Sequence, residues 1–280
     1  MAEARSILIK RAELIDEAGR ARLKDVRFCG DTITAVGELE PSANEQCVDA
    51  DGGLLIPGLH DHHGHLASYA ASLQSVRCGP PDVNSETELV EAINRPGSGW
   101  LRGTGFQEGI CQQLDRAWLD QNGPNRPVRI QHRSGRLWIF NTLAIEQVKA
   151  AAASLAPHER ERVSRPDGLY YDADEILGGL IRSEAPPIGQ ASQRLVKLGV
   201  TGINDMTPTN DAKAWDWFLG LQNSDDLLQR VRMSGRAELS AQKNLPGLAC
   251  GEVKVHLHDT VLPEFEGFVE LISSSHSSGR

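Results

Sequence analysis

Residues 54–66 read LLIPGLHDHHGHL, an apolar run that passes through a Pro-Gly pair into four histidines and one aspartate. A short apolar run bounded by turn residues is typical of a strand in the core of a sheet. We therefore predict a buried strand over Leu54–Asp61, with the histidine cluster at the point where it emerges.

The histidine cluster has the spacing of a metal site. Because side chains alternate along a strand, Asp61, His63 and His65 are expected on one face, and His60 and His62 on the other. Two neutral imidazoles two residues apart can bind one divalent ion. The alternative to a metal site is an exposed histidine-rich turn or histidines packed as polar residues. That alternative would be favoured for a single histidine, but a cluster of four favours a metal site.

A second group of ionisable residues follows near the end of the chain, where residues 252–259 read EVKVHLHD. In a predicted strand over Glu252–His258, alternation places Lys254, His256 and His258 on one face and three apolar residues on the other. Burying a charged lysine is costly, so a lysine on an inward face calls for a partner. The alternative is a lysine that reaches outward from the strand end.

The order of the elements predicts the fold class. After Pro187 the chain alternates strands over Val200–Met206, Leu227–Met233 and Glu252–His258 with helices, which is typical of a parallel sheet covered by helices. Residues 1–53 predict a small antiparallel sheet, with a tight turn at Gly30-Asp31. Between them, residues 67–187 show mixed signals.

Asp205 lies at the carboxyl end of the predicted strand Val200–Met206. Functional residues of barrel enzymes lie at this end of the strands. For Asp205 we nevertheless favour a helix N-cap or a loop hydrogen bond over a part in catalysis.

Composition narrows the class of partner. The net charge of −9 and a pI of about 5.5 argue against nucleic-acid and anionic-membrane partners. No apolar run approaches the roughly 18 residues that a membrane span needs, and no secretory leader is recognisable, so a cytoplasmic protein is predicted. The five cysteines are scattered and predict reduced, mostly buried thiols. The oligomeric state stays open, a homo-oligomer included.

The stretch LLIPGLHDHHGHL after a β-rich segment resembles the start of the metal-dependent amidohydrolase superfamily. Segments Trp100–Gly105, Pro127–Ile130 and Asn141–Ile145 are similar to its amidohydrolase family 3-like branch, which includes N-substituted formamide deformylases. The resemblance implies an α/β fold with an incomplete TIM (β/α)8 barrel. It places a β-sandwich segment at 1–53, the first half of the barrel at 54–66 and 188–280, and an inserted α+β lobe at 67–187.

The resemblance also implies roles for the two clusters. His63 and His65 match the metal-binding pair, and Lys254 matches the lysine whose carbamate bridges two metals. Asp61, His256 and His258 are then expected around the metals or the substrate. The implied cofactor is one or two divalent ions, most simply Zn2+.

The implied activity is hydrolysis of carbon–nitrogen bonds other than peptide bonds, by metal-activated water, on a small amide-like substrate. A lactone or ester hydrolase, a deaminase on the same barrel, and a non-catalytic remnant remain as alternatives. The family's remaining ligands and its catalytic aspartate match no residue of this chain. We therefore expect the sequence to be truncated, with that aspartate beyond Arg280.

Overall fold

The computed structural model describes residues 6–181, 186–255, 257 and 262–280. The chain divides into two compact units, Met1–Leu59 and His60–Arg280. The fold is mixed α/β and contains parallel strand pairs. No helix in the described part of the chain is long and apolar enough to cross a membrane. The predicted three-part division of the chain stays a prediction.

The first unit contains a four-stranded sheet in the order β3-β2-β1-β4. Its strands are β1 (Ser6–Ile15), β2 (Ala21–Cys29), β3 (Thr32–Gly37) and β4 (Gln46–Asp49). Gly30 adopts a positive φ of 62° between β2 and β3, as the predicted tight turn requires. The sheet is mixed and not antiparallel throughout, because β4 pairs in parallel with β1.

Of the three sheets in the described part of the chain, the third carries the histidine cluster and has the order β13-β12-β11-β5. Its strands are β5 (Leu59–Gly64), β11 (Val200–Asp205), β12 (Arg230–Gly235) and β13 (Leu248–Val253). Helix α1 (Leu66–Leu73) follows β5, and α7 (Ile188–Lys197) precedes β11. Helix α8 (Ala212–Asn223) follows β11, a short 3-10 helix at Ala237–Ala241 follows β12, and α9 (Phe265–Ser277) comes after β13.

Between α1 and α7 the chain forms a second sheet in the order β10-β9-β8-β7-β6. Its strands are β6 (Val76–Arg77), β7 (Leu101–Phe106), β8 (Val128–His132), β9 (Leu137–Phe140) and β10 (Leu169–Tyr171). Its helices are α2 (Glu86–Ile93), α3 (Arg116–Asn122), α4 (Thr142–Ala151), α5 (Pro157–Arg162) and α6 (Asp174–Leu180), with a 3-10 turn at Ala152–Ser154. Ser85, Asp115 and Asn141 cap α2, α3 and α4 by accepting a backbone N–H, which explains where these helices begin.

One face of the histidine-bearing sheet is packed against helices. Ile203, Val231 and Met233 are buried in a core that includes residues of α1, α7 and α8. Alternate residues of β12, Arg230 and Arg232, are exposed on the other face. The strand pattern of the sequence thus becomes a sheet with one apolar and one polar face.

Three predicted strands are displaced along the chain. The first begins at Leu59 and not at Leu54, because Leu54 forms a bridge to Glu13 in the first sheet. The third is Arg230–Gly235 and not Leu227–Met233, since Leu227 is buried before the strand starts.

The fourth strand is Leu248–Val253 and not Glu252–His258. Leu248 is fully buried and lies opposite Val231, which fixes the register of the pair. Gly247 and Gly251 obscure this strand in the sequence, since glycine is usually a turn signal.

Candidate functional site

Two histidines lie together where β5 gives way to α1. His63 belongs to β5, and His65 is the N-cap residue of α1. Their ring centroids are 5.7 Å apart with an interplanar angle of 71°. Both residues are exposed, so their ring nitrogens are accessible to an ion from solution.

The environment of His65 favours the ligand form of its ring. His65 keeps an exposed edge, but the protein around its ring displaces part of the water, and this desolvation is the main cause that lowers the pKa of His65 from 6.5. The charge of Asp205 opposes the effect, and those of His63 and Lys254 add to it. Nδ1 of His65 lies 3.1 Å from Oγ1 of Thr207. With Nδ1 protonated, the ring donates to that hydroxyl and Nε2 keeps a free lone pair.

Asp205 holds the start of α1 against the end of β11. Its side chain is buried, and Oδ2 accepts the backbone N–H of Leu66 at 2.8 Å. Oδ1 accepts the backbone N–H of Thr207 at 3.1 Å and the side-chain amide of Asn210 at 2.9 Å. Asp205 therefore makes loop hydrogen bonds, one of our two favoured readings, whereas the N-cap of α8 is Asp211.

Lys254 lies directly after β13, beside the same carboxyl ends of the strands. Its backbone N–H donates to the carbonyl of Gly235 at 2.8 Å, which continues the ladder one residue past the strand. The residue is half-buried, and its positive charge contributes to the lowered pKa of His65. His256 and His258 lie outside the described residues.

The remaining residues of the cluster have local partners. Oδ1 of Asp61 accepts the backbone N–H of His63 at 2.9 Å and so stabilises the end of β5 that presents this imidazole. His60 and His62 form a second ring pair with centroids 4.7 Å apart, and Nε2 of His60 lies 2.9 Å from Oδ1 of Asn204. These two histidines therefore contact each other and β11, separately from the pair His63 and His65.

The donor set fits part of a metal site. Across the described part of the chain, no three His, Cys, Asp or Glu side chains are grouped as a cation would require. His63 and His65 supply two imidazole donors, the side-chain type that zinc prefers. Lys254 becomes a donor only after carboxylation, which replaces its ammonium by an anionic oxygen ligand.

Two positioning residues escaped the sequence analysis in whole or in part. Thr207 carried no signal, since one hydroxyl in a loop is ordinary. For Asp205 the partner could not be inferred, because Leu66 is 139 positions away. The position of Asp205 at a strand end next to β5 was the only available indication.

Comparison with known proteins shows the family to which the chain belongs. The sequence pattern of the amidohydrolase family matches residues 46–261, which is most of the chain. The chain belongs to the amidohydrolase family. It is similar to N-substituted formamide deformylase of Arthrobacter pascens, with 28% identity over 160 residues, 53% of this chain and 29% of that protein. It is also similar to dihydroorotase of Bacillus subtilis (strain 168), with 43% identity over 61 residues, 22% of this chain and 14% of that protein.

A solved structure supports the fold. The metal-dependent hydrolase from Pyrococcus horikoshii OT3 superposes with a TM-score of 0.72 at 15% identity, over 98% of this chain and 63% of that one. The matches thus span less than a third of the deformylase and less than two thirds of the Pyrococcus hydrolase. The chain therefore shares the fold of a longer metal-dependent hydrolase.

Proposed function

We propose that this chain contributes His63, His65 and Lys254 to the divalent metal site of an amidohydrolase that acts on carbon–nitrogen bonds other than peptide bonds. The observation that carries the proposal is that the rings of His63 and His65 lie together at one edge of the sheet, where the charge of Lys254 acts on His65. Membership of the amidohydrolase family supports this proposed reaction class, and a small amide-like compound is the proposed substrate.

The finer fold belongs to the same proposal. The sheet β5-β11-β12-β13 corresponds to the first four strands of a (β/α)8 barrel. The sheet β6 to β10 belongs to an inserted lobe, and the first unit belongs to a β-sandwich segment. The supporting observation is the likeness to the Pyrococcus hydrolase, together with the polar ends of the strands where barrel enzymes keep their sites.

A divalent ion at this place, zinc in our proposal, would lower the pKa of a water and polarise the scissile carbonyl. The residues of the chain prepare for it. Thr207 orients the ring of His65, and Asp61 holds the backbone of His63. Asp205 joins the end of β11 to Leu66, the residue that follows His65. These contacts limit the reorganisation that binding requires.

Lys254 has a separate part in the proposal. The ammonium first loses one proton; addition of CO2 to the uncharged Nζ then forms an N–C bond and releases a second proton, so a cation becomes an anionic oxygen donor. The two imidazoles would then face a negative group where the ammonium now raises the local positive charge. No residue of this chain is assigned as the catalytic base.

The test is zinc binding by the purified chain, measured by calorimetry at neutral pH. We expect His63→Ala and His65→Ala each to weaken zinc binding at least about tenfold. His158→Ala is the matched control, because His158 is exposed on α5 in the other sheet region. Zinc binding that survives both substitutions unchanged would place the metal elsewhere.

A further inference from the structure

A cleft of about 490 Å³ opens beside the second sheet, at the carboxyl end of α1. Its lining includes Gln74, Ser75, Trp100, Arg102, Arg129 and Ile181. The eight residues of α1 span about 12 Å and separate this cleft from His65 at the other end of the helix. The cleft is therefore distinct from the proposed metal site.

Two arginines in the cleft are held by tryptophan rings. The guanidinium of Arg129 lies 5.7 Å from the ring centroid of Trp100 and 5.4 Å from that of Trp138. Arg102 lies 5.4 Å from the same ring of Trp138. Stacking on indole fixes the plane of a guanidinium while its N–H edge stays available for an anion.

Among the residues that the structure describes, no carboxylate is paired with the arginines of the cleft, although the charge of Asp174 acts on both. In the part of the chain that the structure describes, neither Arg102 nor Arg129 forms an ion pair. Arg102 donates to the hydroxyl of Ser75 at 2.6 Å, a neutral partner. The nearby carboxylate of Asp174 is engaged by Nε1 of Trp138, which donates to Oδ1 at 2.8 Å.

Arg129 carries the clearest deficit. Its Nε is buried without a hydrogen-bond partner among the described residues. Burial, with the charge of Arg102 as a second cause, lowers the pKa of Arg129 to about 10, and burial also lowers the pKa of Arg102. Both arginines still carry a positive charge at neutral pH. Native structures rarely leave such groups buried and unpaired, which points to a ligand that supplies the missing acceptors.

We propose that this cleft binds a small organic carboxylate, with its two oxygens on Arg102 and Arg129 and its apolar part against Trp100 and Ile181. A carboxylate accepts charge-assisted hydrogen bonds on both of its oxygens, so each oxygen can take one from a different guanidinium, and Arg102 and Arg129 are cross-strand partners in β7 and β8. The mixed lining favours an anion with an apolar body over an inorganic ion, because the ring of Trp100 and the side chain of Ile181 present apolar surface that an inorganic ion would not cover. The volume of the cleft suits a ligand of this size.

The experiment titrates the full chain with benzoate and with hexanoate, following the heat of binding and the tryptophan fluorescence. Benzamide, a neutral molecule of the same shape as benzoate, and inorganic phosphate are titrated in parallel. We expect saturable binding of at least one carboxylate, and binding of benzamide weaker by about tenfold or more because the charge-assisted hydrogen bonds are lost.

The variants locate the site. Arg129→Gln is expected to weaken carboxylate binding about tenfold, with Arg129→Lys intermediate because it keeps the charge but loses the planar fork. Arg162→Gln, which removes an exposed arginine of α5, is the matched control and should bind as the unaltered chain does. If Arg129→Gln does not fold, as judged by circular dichroism, Arg129→Lys decides the question alone.

Three results would overturn the proposal. The first is the lack of saturable binding by either carboxylate. The second is equal affinity for benzoate and benzamide, which would show apolar binding only. The third is a site that does not select carboxylates through Arg129, shown by a preference for phosphate over both carboxylates or by equal weakening in Arg162→Gln.

Discussion

The carboxylate of Asp205 accepts the backbone N–H of Leu66 at a distance of 2.8 Å, although the two residues are 139 positions apart. This bond joins the end of β11 to the first turn of α1, whose unpaired N–H groups favour a negative partner. His65 lies next to Leu66, so its ring position depends on the same bond.

We expect Asp205→Asn to destabilise the chain, because all three groups that face the carboxylate are donors and the new amide nitrogen would face one of them. The expected loss in the free energy of unfolding is about 1–3 kcal/mol. Urea unfolding measures it. Asp211→Asn is the control, since asparagine caps a helix as well as aspartate does, and it should change the value by less than about 0.5 kcal/mol. Equal losses in the two variants would contradict a specific part for Asp205.

Local patterns in the sequence sufficed for much of this fold. The turn residues Gly30-Asp31 predicted the hairpin between β2 and β3. Contacts between distant segments did not show in it. The bridge of Leu54 to Glu13 and the pairing of Leu248 with Val231 moved two strands away from their predicted positions. The cleft lined by Arg102 and Arg129 could not be predicted for the same reason, because these two residues become neighbours only when β7 and β8 pair.

Acid should weaken the first unit through Glu45. Its side chain is fully buried against Arg27, whose hydrogen bonds are the main cause that lowers the pKa of Glu45 to about 2 from an ordinary 4.5. Because the folded pKa is lowered, the stabilisation is complete above about pH 4.5 and is lost as the pH falls towards 2. Glu45→Gln should therefore speed hydrogen exchange in β1 and β2 at pH 7, with a smaller difference from the unaltered chain at pH 3.

Glu17→Gln is the control for this measurement, because Glu17 is exposed. It should leave exchange in β1 and β2 unchanged at both pH values. A difference between Glu45→Gln and the unaltered chain that grows towards pH 3 would have the wrong sign and would contradict the assignment.

The cysteines should differ in their rates of alkylation. The sequence predicted mostly buried thiols, but Cys29 and Cys47 are exposed while Cys78 and Cys111 are buried. Burial raises the pKa of Cys78 to about 12, which leaves almost no thiolate at neutral pH. With iodoacetamide and peptide mass spectrometry, we expect Cys47 to react in the native chain and Cys78 to react only after denaturation. Early labelling of Cys78 would contradict the packing of the second sheet.

Gly235 should be the least replaceable glycine near the proposed site. A Cβ at this position would lie 2.5 Å from the backbone oxygen of Asn210 and 3.0 Å from Cδ1 of Leu239, and a backbone oxygen cannot rotate away. The carbonyl of Gly235 also accepts the N–H of Lys254, so a shift of this strand would move the lysine. We expect Gly235→Ala to lower the free energy of unfolding by about 1–3 kcal/mol, the usual cost of overpacking.

Gly202→Ala provides the comparison for Gly235→Ala, because the atoms nearest to the new Cβ belong to the ring of His60, with Nδ1 at 2.3 Å. That ring is exposed and can swing into solvent, so the loss of stability should be smaller. Urea unfolding of both variants gives the stability, and zinc titration gives the effect on the site. Gly235→Ala should weaken zinc binding, because it would act on Lys254 and on the hydrogen bond between Asn210 and Asp205. Gly202→Ala should leave zinc binding unchanged, because His60 contacts His62 and Asn204 and not the pair His63 and His65. A larger effect of Gly202→Ala on zinc than of Gly235→Ala would instead assign the metal to His60 and His62.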